Sequence, residues 1–413
     1  MTTPKFIQLH TLTSYPSALL NRDDVGFAKR IPFGGAVRTR VSSQCLKRHW
    51  RTYSGPHALA ELGEPSSIRS RRTFEEFVVG PLLRDGLPET AVRAVTAEVM
   101  KAVLGESKKA KAKGEEGEDK ALATGQVTVL GQPEVEYLKE MVGRLTLELE
   151  GPVVEEKDAQ KAADKAVKDF LKANKGEIRK NLEALRRASG LDAALFGRMV
   201  TSDILSRGDA AIHVAHALTV HAEESETDYF SAVDDLLAAA DDDAGELGSG
   251  HIGQTELTSG LYYGYVVVDV PLLVSNLEGC ARAAWRDADR GLAARVVESL
   301  LHTVTKVSPG AKLGSTAPYA YAHCLMVELG DEQPRTLANA FLEPVDSQRR
   351  VLGAAYDALG RYVGELDRAY GRAEERRLLG IGDIDRLAER VGVAEAQSLT
   401  DIAAWATHRL MEG

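Results

Sequence analysis

The sequence predicts an α+β protein in which one strand-rich core is interrupted by two insertions. Strand-like patterns occur near the N-terminus and at residues 212–220, 261–270 and 323–329, and helical patterns separate them. Residues 54–195 are instead dominated by Glu, Lys and Ala, which predicts a helical insertion, and residues 222–258 form an acidic excursion too long for a hairpin turn. This order of elements fits a split β-α-β-β-α-β unit whose helices lie on one face.

The N-terminal part is predicted to contain two strands joined by a long loop. Residues 5–13 alternate apolar and polar side chains, which is typical of a half-buried strand. Two prolines and the Gly34-Gly35 pair predict that the segment up to residue 35 is a loop. The next segment alternates again and, as a strand, places Arg38 and Arg40 on one face.

A helix is predicted directly after this second strand. Ser42 or Ser43 supplies its N-cap, and Leu46 and Trp50 form an apolar stripe flanked by cationic side chains. Backbone N–H groups at a helix N-terminus are unpaired, so together with hydroxyl, amide and cationic donors they form a natural phosphate site. The alternative is a capped surface helix with ordinary solubilising cations.

The helical insertion contains two distinct segments. Residues 105–120 have a basic half followed by an acidic half without an apolar anchor, which predicts a mobile loop. Residues 167–185 repeat apolar side chains at three- and four-residue spacings and predict an amphipathic helix. Beyond the insertions, residues 292–307 and most of residues 336–413 are predicted to be helical.

Positive charge is concentrated near the N-terminus. The chain of 413 residues has a net charge of −10, but residues 21–51 contain eight basic and two acidic residues. Such a patch on an acidic body is an electrostatic footprint for a polyanion. The candidate anion-binding residues are Arg22, Lys29, Arg38, Arg40, Ser42, Ser43, Gln44, Lys47, Arg48 and Arg51.

Composition and missing motifs exclude several classes. Three scattered cysteines predict neither a disulfide framework nor a cysteine-based zinc site, and a cytoplasmic location is expected because no export signal or membrane span is recognisable. Walker-type phosphate loops, dinucleotide fingerprints and Gly-x-Ser-x-Gly elbows are absent from the sequence, which argues against an ATPase, a dehydrogenase or a serine hydrolase. No cofactor is expected.

Two sets of potential metal ligands were weighed. Asp23 and Asp24 could hold a metal for phosphodiester cleavage, but further carboxylates in a clear motif are lacking, and orientation of a neighbouring cation is favoured. His213, His216 and His221 lack a His-Glu-x-x-His pattern or a cysteine pair, so they are predicted to be structural. The sequence therefore predicts no metal site.

Two isolated apolar side chains lie among polar neighbours. Met199 and Phe230 are of the type that wedges between unpaired bases or stacks on them. The alternative is that both pack locally, as most methionine and aromatic side chains do.

Several long runs, in order, resemble the backbone subunits of the type I-E CRISPR Cascade surveillance complex, the CasC family within the Cas-seven superfamily. The similarity covers most of the chain and is weakest in the helical insertion and the C-terminal quarter. The runs are LNRDDVGFAKRIPFGGAVRTRVSSQCLKRHWR, FGRMVTSDILSRGDAAIHVAHALTVH, TDYFSAVDDL, GQTELTSGLYYGYVVVDV and PGAK.

This resemblance implies a modified ferredoxin-like, RNA-recognition-motif palm with a large helical fingers insertion and a protruding thumb. The implied palm comprises residues 1–53, 196–221 and 259–413, the fingers residues 54–195 and the thumb residues 222–258.

The resemblance also implies a function without enzymatic activity. Copies are expected to polymerise along a CRISPR RNA in antiviral defence, each thumb displacing one nucleotide at regular intervals, so that the segments between can pair with target DNA. Other Cascade subunits and a recruited nuclease-helicase are the further partners. Met199 and Phe230 match residues near the displaced base, and the candidate anion-binding residues named above, apart from Ser43, match the family's guide-binding motif. Fingers residues that hold DNA are matched by Lys108, Lys109, Lys111 and Lys113.

Two other functions remain open at this level. Type III relatives in the superfamily cut target RNA with an aspartate in an N-terminal loop, so a metal-dependent, guide-directed ribonuclease using Asp23 or Asp24 is the first alternative. A generic RNA-binding module that does not assemble is the second.

Overall fold

A long N-terminal strand lies at the centre of an antiparallel sheet. In a computed structural model of the chain, β1 (Phe6–Ala18) pairs with β9 (Ser249–Asp269) on one side and with β10 (Cys324–Gly330) on the other. In this register, His10 lies between Tyr265 and Met326. The structure describes residues 3–104, 122–124, 126–149, 156–184, 189–198, 208–233 and 249–412.

The chain divides into two compact units. The first comprises Met1–Leu59, His213–Val270 and Ala294–Gly413, and the second comprises Ala60–Ile212 and Pro271–Ala293.

The sheet of the first unit extends beyond these three strands. Its order is β11 (Glu375–Gly380), β10, β1, β9, β7 (Ala217–Thr219), β3 (Ala36–Val41) and β2 (Arg30–Phe33). The short β6 (Ile212–Val214) also pairs with β9, and β8 (Ser225–Val233) pairs with the N-terminal part of β9 as a long hairpin.

The predicted α+β class is confirmed, with the order of a split β-α-β-β-α-β unit. Helix α1 (Ser43–Thr52) follows the first strands, and α8 (Gly291–Lys306) connects β9 to β10. Trp50 of α1 and Val304 of α8 line the same cavity over Tyr262 of β9. Both helices therefore cover one face of the sheet.

The opposite face of the sheet is also covered, so the expectation of a half-buried first strand was wrong. C-terminal elements pack there, and Tyr263, Phe341, Tyr356 and Leu387 share one core cluster. The Tyr263 and Phe341 ring centroids lie 5.6 Å apart. An RNA-recognition motif stacks bases on aromatic side chains of its open sheet face. In this protein that face is filled by the chain itself.

The C-terminal elements continue the first unit. They begin with the single-turn α9 (Leu313–Thr316) and include α10 (Val351–Tyr370), α11 (Ile384–Val391) and α12 (Leu399–Met411).

The loop predicted before residue 36 contains a hairpin, which is a second correction. Gly34 and Gly35 have φ angles of 60° and 78°, and their two-residue turn connects β2 to β3. Two successive residues with positive φ form the turn that matches the twist of a hairpin, and glycine adopts it without strain. Pro32 is tolerated because β2 is the last strand of the sheet and needs no further partner.

The second unit is mostly helical. Val95, Leu138 and Val142 are central to its apolar core, and the helix predicted around Val167 is present as part of α5 (Glu156–Ala184). The predicted mobile loop at residues 105–120 lies outside the described residues. The elements are β4 (Ser67–Ser70), α2 (Gly80–Arg84), α3 (Glu89–Leu104), β5 (Thr128–Gly131), α4 (Gln132–Glu148), α5 (Glu156–Ala184), α6 (Leu191–Phe196) and α7 (Val270–Glu278), the last beginning at the border of the first unit. In the described part of the chain, none of the helices has the length and apolar content needed to cross a membrane.

A buried charge network ties the central strands to the C-terminal helices. Glu328 of β10 is 0% exposed and accepts hydrogen bonds from Arg376 Nε at 2.5 Å and Arg335 Nη1 at 3.0 Å. His10 Nε2 lies 3.2 Å from the same carboxylate, and Arg376 Nη2 donates to Asp367 of α10 at 2.7 Å. Burial alone would raise the pKa of Glu328, but the His10 hydrogen bond and the two arginine charges hold it well below its usual range.

We expect Glu328→Gln to lower the free energy of unfolding by about 3–5 kcal/mol, because it leaves the buried Arg376 guanidinium without its matching charge. Urea denaturation at neutral pH measures this change. The matched control is Glu343→Gln, which removes an exposed carboxylate and should change stability by less than about 0.5 kcal/mol. Equal stability of the two variants would contradict the assigned role of Glu328.

Candidate nucleic-acid interface

The N-terminus of α1 is capped and anchored as the sequence predicts. Ser42 is the N-cap, and its Oγ accepts a hydrogen bond from the Cys45 backbone N–H at 3.3 Å. The Ser42 backbone N–H donates to Asn21 Oδ1 at 2.9 Å, which joins the start of the helix to the preceding loop. Ser43 and Gln44 form the first turn of the helix, and the side chain of Gln44 is exposed.

Backbone hydrogen bonds hold the loop that carries the first cations. The Lys29 N–H donates to Asn21 O at 2.9 Å, and the Arg40 N–H donates to Lys29 O at 2.8 Å. Arg22 forms an isolated antiparallel bridge with Ala28. The backbones of Arg22, Lys29 and Arg40 are therefore fixed next to one another before any ligand binds.

Three cations converge around the start of α1. Burial raises the pKa of the Cys45 thiol, and the nearby charges of Lys29 and Arg48 act in the opposite direction. Arg40 Nη1 lies 3.1 Å from His216 Nδ1, and burial together with the charges of Arg40 and Lys29 lowers the pKa of His216. Lys29 and Arg40 thus lie beside the start of α1 and Arg48 lies on its second turn, an arrangement that favours a bound anion.

Part of this positive charge is not neutralised. Within the described part of the chain, no carboxylate forms an ion pair with Arg22, Lys29 or Arg48. Arg30, in contrast, is ion-paired with both Glu223 and Glu256. Glu256 also accepts a hydrogen bond from the Ala28 N–H at 2.6 Å, so the acidic residues secure the loop rather than screen the neighbouring cations.

The same helix carries two further cations of the predicted set. Lys47 and Arg51 are half-buried on α1, and Arg48 between them is exposed. We call Arg22, Lys29, Arg40, Lys47, Arg48 and Arg51 the basic surface.

Arg38 was predicted to belong to this surface, but its side chain is fully buried. The guanidinium donates to three backbone carbonyls, those of Phe33 at 3.2 Å, Thr219 at 3.0 Å and Phe341 at 2.8 Å. Burial lowers the pKa of Arg38. Although Arg38 and Arg40 share a face of β3, the segment containing Phe341 covers only Arg38, which therefore serves the fold and presents no donor to a ligand.

In the acidic pair of the loop, the Asp23 carboxylate is hydrogen-bonded to the backbone. Asp23 Oδ1 accepts hydrogen bonds from the backbone N–H groups of Val25, Gly26 and Phe27 at 2.8–3.0 Å. Among the described residues, neither Asp23 nor Asp24 belongs to a group of side chains close enough to share a metal ion.

The three histidines weighed as zinc ligands are likewise not grouped among the described residues. His221 is buried, its Nδ1 donates to Ala222 O at 2.7 Å, and its Nε2 accepts from the Leu261 N–H at 3.1 Å. Both of its ring nitrogens are thereby occupied within the fold. His213 and His216 are exposed.

The other predicted site residues are only partly placed. Phe230 lies on β8, opposite Gly253 of β9, in the hairpin predicted to be the thumb. Met199 lies outside the described residues, as do Lys108, Lys109, Lys111 and Lys113. The described residues on either side of the gap that contains Met199 are hydrogen-bonded to each other, since the Arg198 N–H donates to Gly208 O at 2.9 Å.

The structure adds a segment that the sequence analysis did not single out as a site. The Gly310 N–H lies 3.3 Å from His49 Nε2, which brings the loop after α8 against α1. In this loop Tyr319 and Tyr321 are 74% and 68% exposed, and Lys306 Nζ lies 6.0 Å from the Tyr321 ring centroid. Exposed tyrosines beside lysines are suited to stacking on bases. The Tyr-Ala-Tyr pattern after PGAK was the available signal.

Comparison with known proteins agrees with this architecture. The family model described as "CT1975-like protein" matches residues 7–405. The chain belongs to this family. No curated protein matches it.

Two solved structures share the fold of this CT1975-like protein. A chain of a "CRISPR RNA-guided surveillance complex, pre-nicking" is 24% identical with a TM-score of 0.74, and the match covers 98% of this chain and 100% of that one. A chain of a "CRISPR RNA-guided surveillance complex" is 21% identical with a TM-score of 0.64, with coverage of 98% and 99%.

We expect Arg38→Met and Arg48→Met to have opposite effects. Arg38→Met should lower the free energy of unfolding by on the order of 3 kcal/mol, because it leaves three buried carbonyls without a donor. Arg48→Met should leave stability within about 0.5 kcal/mol and weaken RNA binding. Denaturation curves and RNA titrations of both variants measure this. If the Arg38→Met protein were stable but had lost RNA affinity, Arg38 would have to be assigned to the basic surface.

Proposed function

We propose that this chain is a backbone subunit of a CRISPR RNA-guided surveillance complex of type I-E, and that it binds the phosphates of the guide RNA. The observation that carries the proposal is the group of unneutralised cations, Lys29 and Arg48 foremost, on α1 and on the loop that Asn21 joins to its N-terminus. These cations lie on a chain whose net charge is −10. Family membership and the shared fold with chains of two such complexes support the same conclusion.

The proposed binding mode holds the RNA backbone without reading bases. Helix N-terminal N–H groups and cationic side chains bind phosphates, which carry no sequence information. The sheet face that could have stacked bases is filled by Tyr263, Phe341 and their C-terminal neighbours. Exposed Tyr319 and Tyr321 can stack on any base, since every base has an aromatic face. Specificity then comes from pairing between guide and target DNA, the logic known from RNA-guided effectors.

The proposed function includes the assembly of several copies of the chain along the guide RNA. A chain that polymerises on RNA makes head-to-tail contacts, which use two different faces of each copy. Val25 and Phe27, 73% and 48% exposed on the loop that Asp23 organises, offer apolar contact area to a neighbouring copy.

In this assembly the β8–β9 hairpin is the thumb. Phe230 on this hairpin and Met199 contact the displaced nucleotide, and the fingers lysines named above contact target DNA. A recruited nuclease-helicase cuts the target.

We expect the purified chain to assemble on guide RNA. Sedimentation mass should rise in steps as the guide lengthens, because each copy occupies a fixed length of backbone. Lys47→Ala and Arg48→Ala should weaken binding to unrelated sequences equally and reduce the slope of log affinity against log salt by about 0.7 per lost phosphate contact.

The matched control is Arg361→Ala, which removes an exposed cation on α10. This variant should keep the wild-type affinity and salt slope. Sequence-selective loss in Lys47→Ala or Arg48→Ala would contradict backbone binding, and saturation at one copy on guides of every length would favour a generic RNA-binding module.

We expect no cleavage by the assembled chain. Asp23 Oδ1 already accepts three backbone hydrogen bonds, and the flanking Arg22 and Lys29 charges compete with a metal ion for the carboxylates. With a matched guide and Mg²⁺ or Mn²⁺, target RNA and single-stranded DNA should stay intact on a denaturing gel. Regularly spaced products that disappear in Asp23→Ala or Asp24→Ala would establish the ribonuclease alternative.

A further inference from the structure

A group of two histidines and one glutamate lies away from the basic surface. Glu298 and His302 are four residues apart on α8, so their side chains project from the same side of the helix. His57 approaches them from the turn that follows α1. One nitrogen or carboxylate oxygen from each of the three lies within 4.8 Å of the other two.

His57 is held at this place by an uncommon backbone conformation. Its φ angle is 65°, in the left-handed region that few residues other than glycine adopt. The next two residues, Ala58 and Leu59, are buried, and the Ala58 N–H donates to Gly55 O at 2.9 Å. The His57 and His302 rings stack with centroids 3.7 Å apart and planes 5° apart. The fold thus maintains a strained residue to bring the two imidazoles together.

His302 has an unused ligand atom. The side chain lies in the interior, with the residue 7% exposed, and its Nδ1 has no hydrogen-bond partner among the described residues. A buried polar atom left in this state destabilises the folded protein. Buried atoms without a partner therefore call for an explanation, and one explanation is a ligand that occupies the site.

We propose that His57, Glu298 and His302 bind one Zn²⁺ ion. Two imidazole nitrogens and one carboxylate oxygen are a zinc donor set, and three protein ligands leave a fourth position for water. The ion would connect the turn after α1 to α8. Because α1 carries Lys47 and Arg48, zinc at this place would fix the orientation of the helix that presents the basic surface.

Binding requires a defined rearrangement. A metal ion lies in the plane of each imidazole that binds it, so the His57 ring must turn out of the stack. The ligand atoms must also close to the separation of a tetrahedral site, about 3.3 Å for bond lengths of about 2.0 Å. Lys306 lies one turn after His302 on α8, and its positive charge disfavours a nearby cation. The Lys306 ammonium group lies 6.0 Å from the centroid of the Tyr321 ring.

Zinc titration of the full chain tests the proposal, using protein freed of any histidine tag and treated with a chelator. Calorimetry should show one Zn²⁺ per chain, and Co²⁺ should give the visible absorption of a tetrahedral site. His57→Asn removes the imidazole while asparagine tolerates positive φ, and Glu298→Gln removes the charge with little change in shape. Each should weaken Zn²⁺ binding at least tenfold, at the lower end of the roughly 10–100-fold effect of mutating groups that merely orient metal ligands.

Two control variants remove the same side-chain types elsewhere. His408→Asn and Glu365→Gln change exposed residues of α12 and α10 and should bind Zn²⁺ like the wild type. At equal Zn²⁺ concentration, zinc should raise the thermal midpoint of the wild type and both controls by more than that of His57→Asn or Glu298→Gln. If His57→Asn unfolds without zinc, Glu298→Gln alone decides the outcome.

Three results would overturn the proposal. The first is the absence of Zn²⁺ binding by the wild-type chain. The second is unchanged affinity in His57→Asn and Glu298→Gln. The third is a thiolate-to-cobalt charge-transfer band, which would place the metal at Cys45 and His49, whose Sγ and Nδ1 atoms are 3.7 Å apart. The zinc measurements use no RNA and neither variant replaces a residue of the basic surface, so failure of this proposal and failure of the proposed RNA binding are distinguishable.

Discussion

The buried guanidinium of Arg38 links three segments that lie far apart in the sequence. It donates hydrogen bonds to the carbonyl of Phe33 in the β2–β3 hairpin, to that of Thr219 in β7 and to that of Phe341, in the C-terminal segment that covers Arg38. A charged group without access to water is stable only when its donors are paired, so the three carbonyls must stay in place around it. Because Arg38 lies on β3, this requirement fixes the position of β3, the strand that precedes α1. The position of the basic surface therefore depends on an arginine that takes no part in that surface.

The packing around Arg38 also determines which surfaces are open to the proposed RNA ligand. The sheet has the strand order of a split β-α-β-β-α-β unit, but the C-terminal elements pack on the face that an RNA-recognition motif leaves open. The network around Glu328 stabilises this covering layer, because Arg376 joins β10 to Asp367 of α10. Both faces of the sheet are filled, and the basic surface lies instead at the start of α1 and in the adjacent loop. Cations and helix N–H groups of this kind suit phosphates rather than base edges.

The acidic residues near the basic surface stabilise its loop and leave part of its positive charge unneutralised. Glu223 and Glu256 neutralise Arg30 and hold the backbone of the loop, and the Asp23 carboxylate closes the turn within it. In the described part of the chain, Arg22, Lys29 and Arg48 have no such partner. Local structure is thus secured by carboxylates, while unneutralised cations remain for a polyanion.

The sequence by itself determined the features that depend on neighbouring residues. Alternation identified β3, the Ser42 hydroxyl marked the start of α1, and the density of cations between residues 21 and 51 indicated an anion site. The β2–β3 hairpin also had a local signal in Gly34-Gly35, but the neighbouring prolines favoured a loop.

Only the tertiary structure decided which face of each element is covered. Arg38 and Arg40 are equivalent in the pattern of β3, yet a segment some 300 residues later buries the first and leaves the second beside His216. The grouping of His57 with Glu298 and His302 is of the same kind. Local sequence patterns show the period of a strand or helix. Burial and clustering arise instead from contacts between residues distant in the chain, and the spacing of residues alone does not predict these contacts.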